Sequence, residues 1–167
     1  MKKHWGKTTV LLLVINMLLA ILPGQAFAMH ISEGILPASW AALWFVVSIP
    51  FVAWGLRDLR LRNKQASHFK PLIGIVGAAV FVISAMPIPV PIAGSSSHPA
   101  GTGLAAILIG PSLTVVITSV ALVLQALFLA HGGLTTLGGN IMSMGVAGAF
   151  VGYGVFKISR RCGASWT

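Results

Sequence analysis

Leu104-Ala105-Ala106-Ile107-Leu108-Ile109-Gly110-Pro111-Ser112-Leu113-Thr114-Val115-Val116-Ile117-Thr118-Ser119-Val120-Ala121-Leu122-Val123-Leu124-Gln125-Ala126-Leu127-Phe128-Leu129-Ala130 is a run of 27 residues without a charge, and its reading decides the fold class. About 20 apolar residues suffice to cross a hydrocarbon core as helix. The run therefore holds one crossing and a shorter piece, divided at Gly110-Pro111. It lies within 86 residues, between Lys70 and Lys157, that contain no Asp, Glu, Lys or Arg. Over the whole chain of 167 residues there are 11 Lys+Arg and 2 Asp+Glu, 56% of residues are hydrophobic and 8% charged. Mean hydropathy is +0.93. A soluble domain carries roughly 25% charged residues, so that class is excluded.

The net charge of +9 does not describe a nucleic-acid surface. All the bases lie in three patches, at 2–7, 57–70 and 157–161. Bases that punctuate long uncharged runs report topology in a bilayer rather than a phosphate-binding face. A single cysteine, Cys162, rules out a disulfide framework or a Cys-rich metal site. With two carboxylates in the chain, paired acid/base chemistry is nearly excluded too.

Residues 1–28 read as a cleaved signal peptide. Lys2, Lys3 and Lys7 form the positive start, Val10 to Leu22 the apolar core, and Ala26-Phe27-Ala28 the cleavage site after Pro23-Gly24. An uncleaved anchor helix is the alternative. Cleavage after Ala28 makes Met29 the first mature residue and leaves its free amine on the outer side of a plasma membrane. Ala38–Leu56 is then the first crossing, with Trp40, Trp44 and Trp54 near its ends and Pro50 bending rather than ending it. The basic stretch from Arg57 to Lys70 is cytoplasmic by the positive-inside rule. The chain returns outward over Pro71–Met86. Pro87, Pro89 and Pro91 predict a loop to Gly103. Since Lys157, Arg160 and Arg161 again mark the inner side, an odd number of crossings must follow. A short helix at about 101–110, a full one at 112–130 and another at 141–156 satisfy this. The expectation is an all-α, polytopic membrane bundle of five mature helices spanning 29–160. Glycines at Gly145, Gly148, Gly152 and Gly154 predict close helix packing.

Five histidines remain as candidates for chemistry. His4 falls in the signal, His68 in the basic loop, and His131 at a helix end before Gly132-Gly133, where capping or turning the chain is the simpler role. His30 and His98 both lie on the outer side. The α-amine of Met29, the backbone amide nitrogen of His30 and the His30 imidazole can close adjacent chelate rings around one ion. His98, in Gly94-Ser95-Ser96-Ser97-His98-Pro99, can add a fourth nitrogen to a near-planar site. Such a set suits Ni, Co, Cu or Zn, and planarity favours Ni or Cu over Zn. Packing or hydrogen bonding of His30, and a turn contact for His98, are the alternatives.

Met29-His30-Ile31-Ser32-Glu33-Gly34-Ile35-Leu36-Pro37 resembles the mature start of the CbiM family of cobalt-transport proteins from bacterial energy-coupling-factor transporters. Gly94-Ser95-Ser96-Ser97-His98-Pro99-Ala100-Gly101-Thr102-Gly103 and Ala130-His131-Gly132-Gly133-Leu134-Thr135-Thr136-Leu137-Gly138 resemble two further motifs of that family, with Ala100 where Thr is more usual. The resemblance implies a substrate-binding membrane subunit, the S component, importing Co(II) for cobalamin synthesis. It implies Met29, His30 and His98 as ligands, and His131 as a motif residue outside the ligand set. Implied partners are a transmembrane coupling subunit, two ABC-type ATPase subunits, a small accessory membrane subunit and lipid. ATP hydrolysis would belong to those ATPases, and no catalytic residue or cofactor is implied here. Ni(II) uptake is the second reading, and a non-functional truncated paralogue the third. The family has seven mature helices, so the last two are expected to be lacking, and 161–167 reads as an atypical tail. A membrane metalloenzyme would need a base near the ion, for which Glu33 is the only outer carboxylate. An assembly subunit whose histidines merely pack is the remaining rival.

Overall fold

The computed structural model describes residues 30–65, 69–86, 88–90, 95–97 and 99–163. The expectations for the signal peptide 1–28, Met29, His68, His98 and the end of the tail lie outside these residues. Five helical segments are present among the described residues: α1 Ala38–Gln65, α2 Phe69–Ala85, α3 Thr102–Ile109, α4 Pro111–Phe128 and α5 Leu137–Arg161. Within the loop between α2 and α3, strand β1 (Ile88–Val90) pairs antiparallel with β2 (Ser95–Ser97), Ile88 opposite Ser97. Ala38–Lys64, Pro111–Phe128 and Leu137–Arg161 are long and apolar enough to cross a membrane, and α2 is a shorter apolar helix of 17 residues.

Helix α1 does not stop where its uncharged run does. It continues through the basic segment to Gln65 because Arg62 pairs with Asp58 one turn earlier, Nε to Oδ1 at 3.0 Å. Arg62 Nη1 also donates to the Ile109 carbonyl at the end of α3, 3.2 Å away. Asp58 Oδ2 accepts from the Ser112 hydroxyl in the first turn of α4. One arginine–aspartate pair thus ties α1 to both sides of the break at Gly110-Pro111. The break itself has a local cause. Gly110 adopts φ +92°, ending α3, and Pro111 opens α4 with a nitrogen that needs no partner.

Helix α4 is central. Its Leu113, Ile117 and Ala121 pack with Val76 and Val80 of α2 and Ala105 and Ile109 of α3. Its Val115 and Leu122 pack on the other side with Ile141, Met144 and Val146 of α5, with Phe51 and Val52 of α1 closing over them. The hydroxyls of Thr114 and Ser119 bond to the carbonyls of Gly110 and Val115, which satisfies them inside the apolar core. By contrast α1 and α2 expose large apolar side chains such as Val46, Trp54 and Ile75, the last 69% exposed. An apolar helix surface left uncovered in a bundle of this composition faces hydrocarbon. The short α3 buries Thr102, Ala105, Ala106 and Ile109. It is held by α5, where a Cβ on Gly152 would lie 2.7 Å from Cα of Gly103, so the two backbones meet.

Besides the extension of α1 to Gln65, two further features differ from the sequence expectation. Helix α5 starts at Leu137 rather than 141 and widens into a π-helical stretch at Ile141–Ala147. Its first turn is drawn back toward residues 31–36, where the Ile31 and Leu36 side chains approach Gly139. The second concerns the loop before α3, where backbone pairing between β1 and β2 supplies structure that the prolines did not announce.

Candidate metal centre

At the end of the bundle where α4 finishes, residues 30–36 cross over the start of α5. Three side-chain hydrogen bonds pin Ile31. Its N–H donates to Asn140 Oδ1 at 2.7 Å, and its carbonyl accepts from Asn140 Nδ2 at 3.1 Å and Thr136 Oγ1 at 2.6 Å. Asn140 and Thr136 are both buried. The amide of Asn140 thus treats Ile31 as a neighbouring strand would, accepting from its N–H and donating to its carbonyl. This clamp directs the preceding residue inward. His30 is 3% exposed, with Nε2 3.0 Å from Gln125 Oε1 near the end of α4. Gln125 is fully buried, and its Nε2 donates to the Ser84 hydroxyl at 2.7 Å and the Phe81 carbonyl at 3.3 Å on α2.

The loop from α4 to α5 forms the other wall. After the last turn of α4, the His131 N–H returns to the Gln125 carbonyl at 3.1 Å. The backbone of His131, rather than its ring, thus closes the helix. Its ring meets the His30 ring edge to face, centroids 4.4 Å apart. Gly132 has φ +82° and lies where a Cβ would stand 3.4 Å from His30 Cδ2. A side chain there would be strained by backbone conformation and crowded by the imidazole. Beside it, a Cβ on Gly133 would lie 2.7 Å from Cα of Glu33. Glu33 Oε2 accepts from the Thr135 N–H at 3.3 Å, and hydrogen bonds from Thr135 hold the exposed carboxylate below the ordinary glutamate pKa.

Of the residues singled out in the sequence, His30 and His131 come together; Met29 and His98 lie outside the described residues. Glu33 turns to Thr135, with its carboxylate engaged by that backbone. Among the described residues, no three His, Cys, Asp or Glu side chains gather as a metal cluster. Sequence reading missed Gln125, Ser84, Thr136 and Asn140. The available signal was their polarity within long apolar segments, because a buried amide in a membrane bundle is costly unless it is hydrogen-bonded.

Fold and site together define a polytopic membrane protein with a buried imidazole at one end of its helix bundle. A crystal structure of a transition metal transporter superposes with a TM-score of 0.72 and 28% identity, covering 81% of this chain and 59% of that one. A truncated transition metal transporter gives a TM-score of 0.72 at 27% identity, covering 81% and 62%. The chain belongs to the CbiM family, described as the cobalt uptake substrate-specific transmembrane region, which it matches over residues 30–167. The cobalt transport protein CbiM of Geobacter sulfurreducens is 62% identical over 144 residues, 86% of this chain and 42% of that protein. The CbiM of Sorangium cellulosum is 59% identical, covering 82% and 61%, and that of Salmonella typhimurium 50%, covering 88% and 60%. The chain thus spans between about 42 and 61% of the length of these relatives.

Proposed function

We propose that this chain is the ion-capturing membrane subunit, the S component, of an energy-coupling-factor importer that brings cobalt ions into the cell for cobalamin synthesis. The observation that carries the reading is His30. A histidine at the mature second position would be expected in solvent, yet it is 3% exposed, oriented by Gln125 and faced by His131. With signal cleavage after Ala28, the Met29 amine, the His30 amide nitrogen, the His30 imidazole and His98 form an all-nitrogen set for a divalent ion. Imidazole and amine nitrogens suit both cobalt and nickel. The names of the relatives favour cobalt, and nickel is the second cargo. The chain's own contribution is to hold these nitrogens in place on the outer side of the plasma membrane. A coupling subunit, two ATPase subunits and a small accessory membrane subunit would supply the energy and the reorientation.

Titration of the purified mature protein with Co(II) and Ni(II) tests the site. One tight equivalent is expected, lost in His30→Ala and in His98→Ala and in protein whose N-terminal amine is blocked. Metal-loaded protein that still carries residues 1–28, or binding unchanged by both histidine substitutions, overturns the assignment. Competition between the two ions ranks the cargo, and uptake in cells co-expressing the partner subunits tests transport.

A further inference from the structure

We propose that Gln125, itself held by Ser84, is a positioning residue that keeps the proton of the His30 imidazole on Nε2 and so reserves Nδ1 as the donor nitrogen. The metal consequence rests on the reading above; the proton assignment does not. The argument follows the direction of each hydrogen bond. Ser84 has one hydroxyl hydrogen, and it is directed to the Val80 carbonyl at 2.6 Å, with the Phe81 carbonyl at 3.2 Å sharing it. Its oxygen therefore accepts from Gln125 Nε2 at 2.7 Å. The same amide nitrogen lies 3.3 Å from the Phe81 carbonyl, which can only accept. Both contacts demand the NH2 group on the α2 side, so the amide cannot be turned over. Gln125 Oε1 is left facing His30 Nε2 at 3.0 Å, and because Oε1 only accepts, Nε2 must carry the hydrogen. Gln125 and Ser84 are 0 and 2% exposed. Reversing the chain would leave each of these buried polar groups facing a like group, which burial penalises.

The assignment matters because the two ring nitrogens are not equivalent toward a chelate that begins at the backbone. From its own Cβ, the imidazole can close a small ring with the His30 amide nitrogen only through Nδ1. A neutral imidazole protonated on Nε2 carries its in-plane lone pair on Nδ1. Partners that fix a ligand's tautomer in this way typically change metal affinity about 10- to 100-fold. His131, edge-on to the same ring, limits rotation of the imidazole about its Cβ–Cγ bond.

The experiment uses the full chain with its native N-terminus, labelled with 15N-histidine, metal-free and at about pH 8, above the ordinary histidine range. The His30 signals are assigned by their loss in His30→Ala. Wild type is expected to show the proton on Nε2. Gln125→Met should shift His30 toward a mixture of tautomers and weaken Ni(II) binding about 10- to 100-fold. Gln125→Glu, which still offers an oxygen to Nε2, should keep the proton there even though its second oxygen loses the donor contacts to Ser84 and Phe81. Should Gln125→Met not fold, Ser84→Ala removes one of the two acceptors that orient the amide and should shift the tautomer in the same direction to a smaller extent. A wild-type proton on Nδ1, or a tautomer indifferent to these substitutions, overturns the proposal. If wild type binds no Ni(II) while the tautomer responds as stated, the transport reading falls and the positioning role stands.

Discussion

Replacing Asn140 by leucine should release residues 30–36 from α5 while leaving the helix bundle intact. Leucine has the same number and branching of side-chain heavy atoms as asparagine with somewhat bulkier ends, so the substitution removes hydrogen bonds without opening a cavity. The Ile31 N–H loses its acceptor at 2.7 Å, while the Ile31 carbonyl loses one donor at 3.1 Å and keeps Thr136 Oγ1 at 2.6 Å. One buried donor is thus left without its partner, which costs about 1–3 kcal/mol. At about 1.4 kcal/mol per factor of ten, amide exchange at Ile31 should accelerate between roughly 5- and 150-fold. Hydrogen exchange of the detergent-solubilised protein, followed by mass spectrometry on peptides covering 30–36 and α4, provides the measurement. Acceleration should be confined to 30–36, with Pro111–Phe128 unchanged. Thr136→Val should produce a smaller effect, because Asn140 still engages both backbone groups of Ile31. Ser143→Ala serves as the control, since its hydroxyl bonds only to the Asn140 carbonyl. Protection of Ile31 equal to wild type in Asn140→Leu would refute the clamp. Equal acceleration throughout the bundle would show that Asn140 supports global stability rather than this segment.

Gly152→Val should separate α3 from α5, since its branched side chain would occupy the backbone contact with Gly103. The expected destabilisation is about 1–3 kcal/mol, read as a lowered thermal unfolding midpoint in detergent. Arg62→Met should loosen the break at Gly110-Pro111 by removing the links to Asp58 and the Ile109 carbonyl. Because the arginine side chain is 42% exposed, a loss of about 1 kcal/mol is expected, detected as faster exchange at the end of α3. The Glu33–Thr135 contact should depend on pH with a defined sign. Its carboxyl is held below the ordinary glutamate pKa, so the stabilisation is present above the unfolded value and disappears as pH falls through the lower folded one. Exchange at Thr135, corrected for its intrinsic pH dependence, should therefore rise below about pH 4, and Glu33→Gln should abolish that dependence.

The membrane class and the approximate helix positions were legible because charge is so sparse. Thirteen charged residues confined to a few patches leave uncharged segments whose lengths bear directly on bilayer thickness. The split at Gly110-Pro111 was equally legible, since a glycine followed by a proline breaks a helix by backbone chemistry alone. The extension of α1 to Gln65 was not, although the Asp58 and Arg62 pair at one-turn spacing was its available sign. Nor was the π-helical stretch, which follows the Asn140 contact with a segment more than 100 residues away in sequence.

For the site, His30 was conspicuous through its position just after the cleavage site expected from the sequence, and the glycines after His131 marked a turn. Gln125, by contrast, is one amide in an apolar helix, and nothing local to it points toward residue 30, which lies 95 positions earlier. The sequence by itself determined that this chain belongs in a bilayer and roughly where its helices break, because length, charge and proline act locally. Only the tertiary structure decided that α2, α4 and α5 bring Ser84, Gln125 and Asn140 to residues 30 and 31. The physical reason is that a helix surrounded by lipid is apolar on its packed and exposed faces alike. No hydrophobic stripe then announces which sides meet, and close approach of backbones and a few buried hydrogen bonds settle the pairing instead.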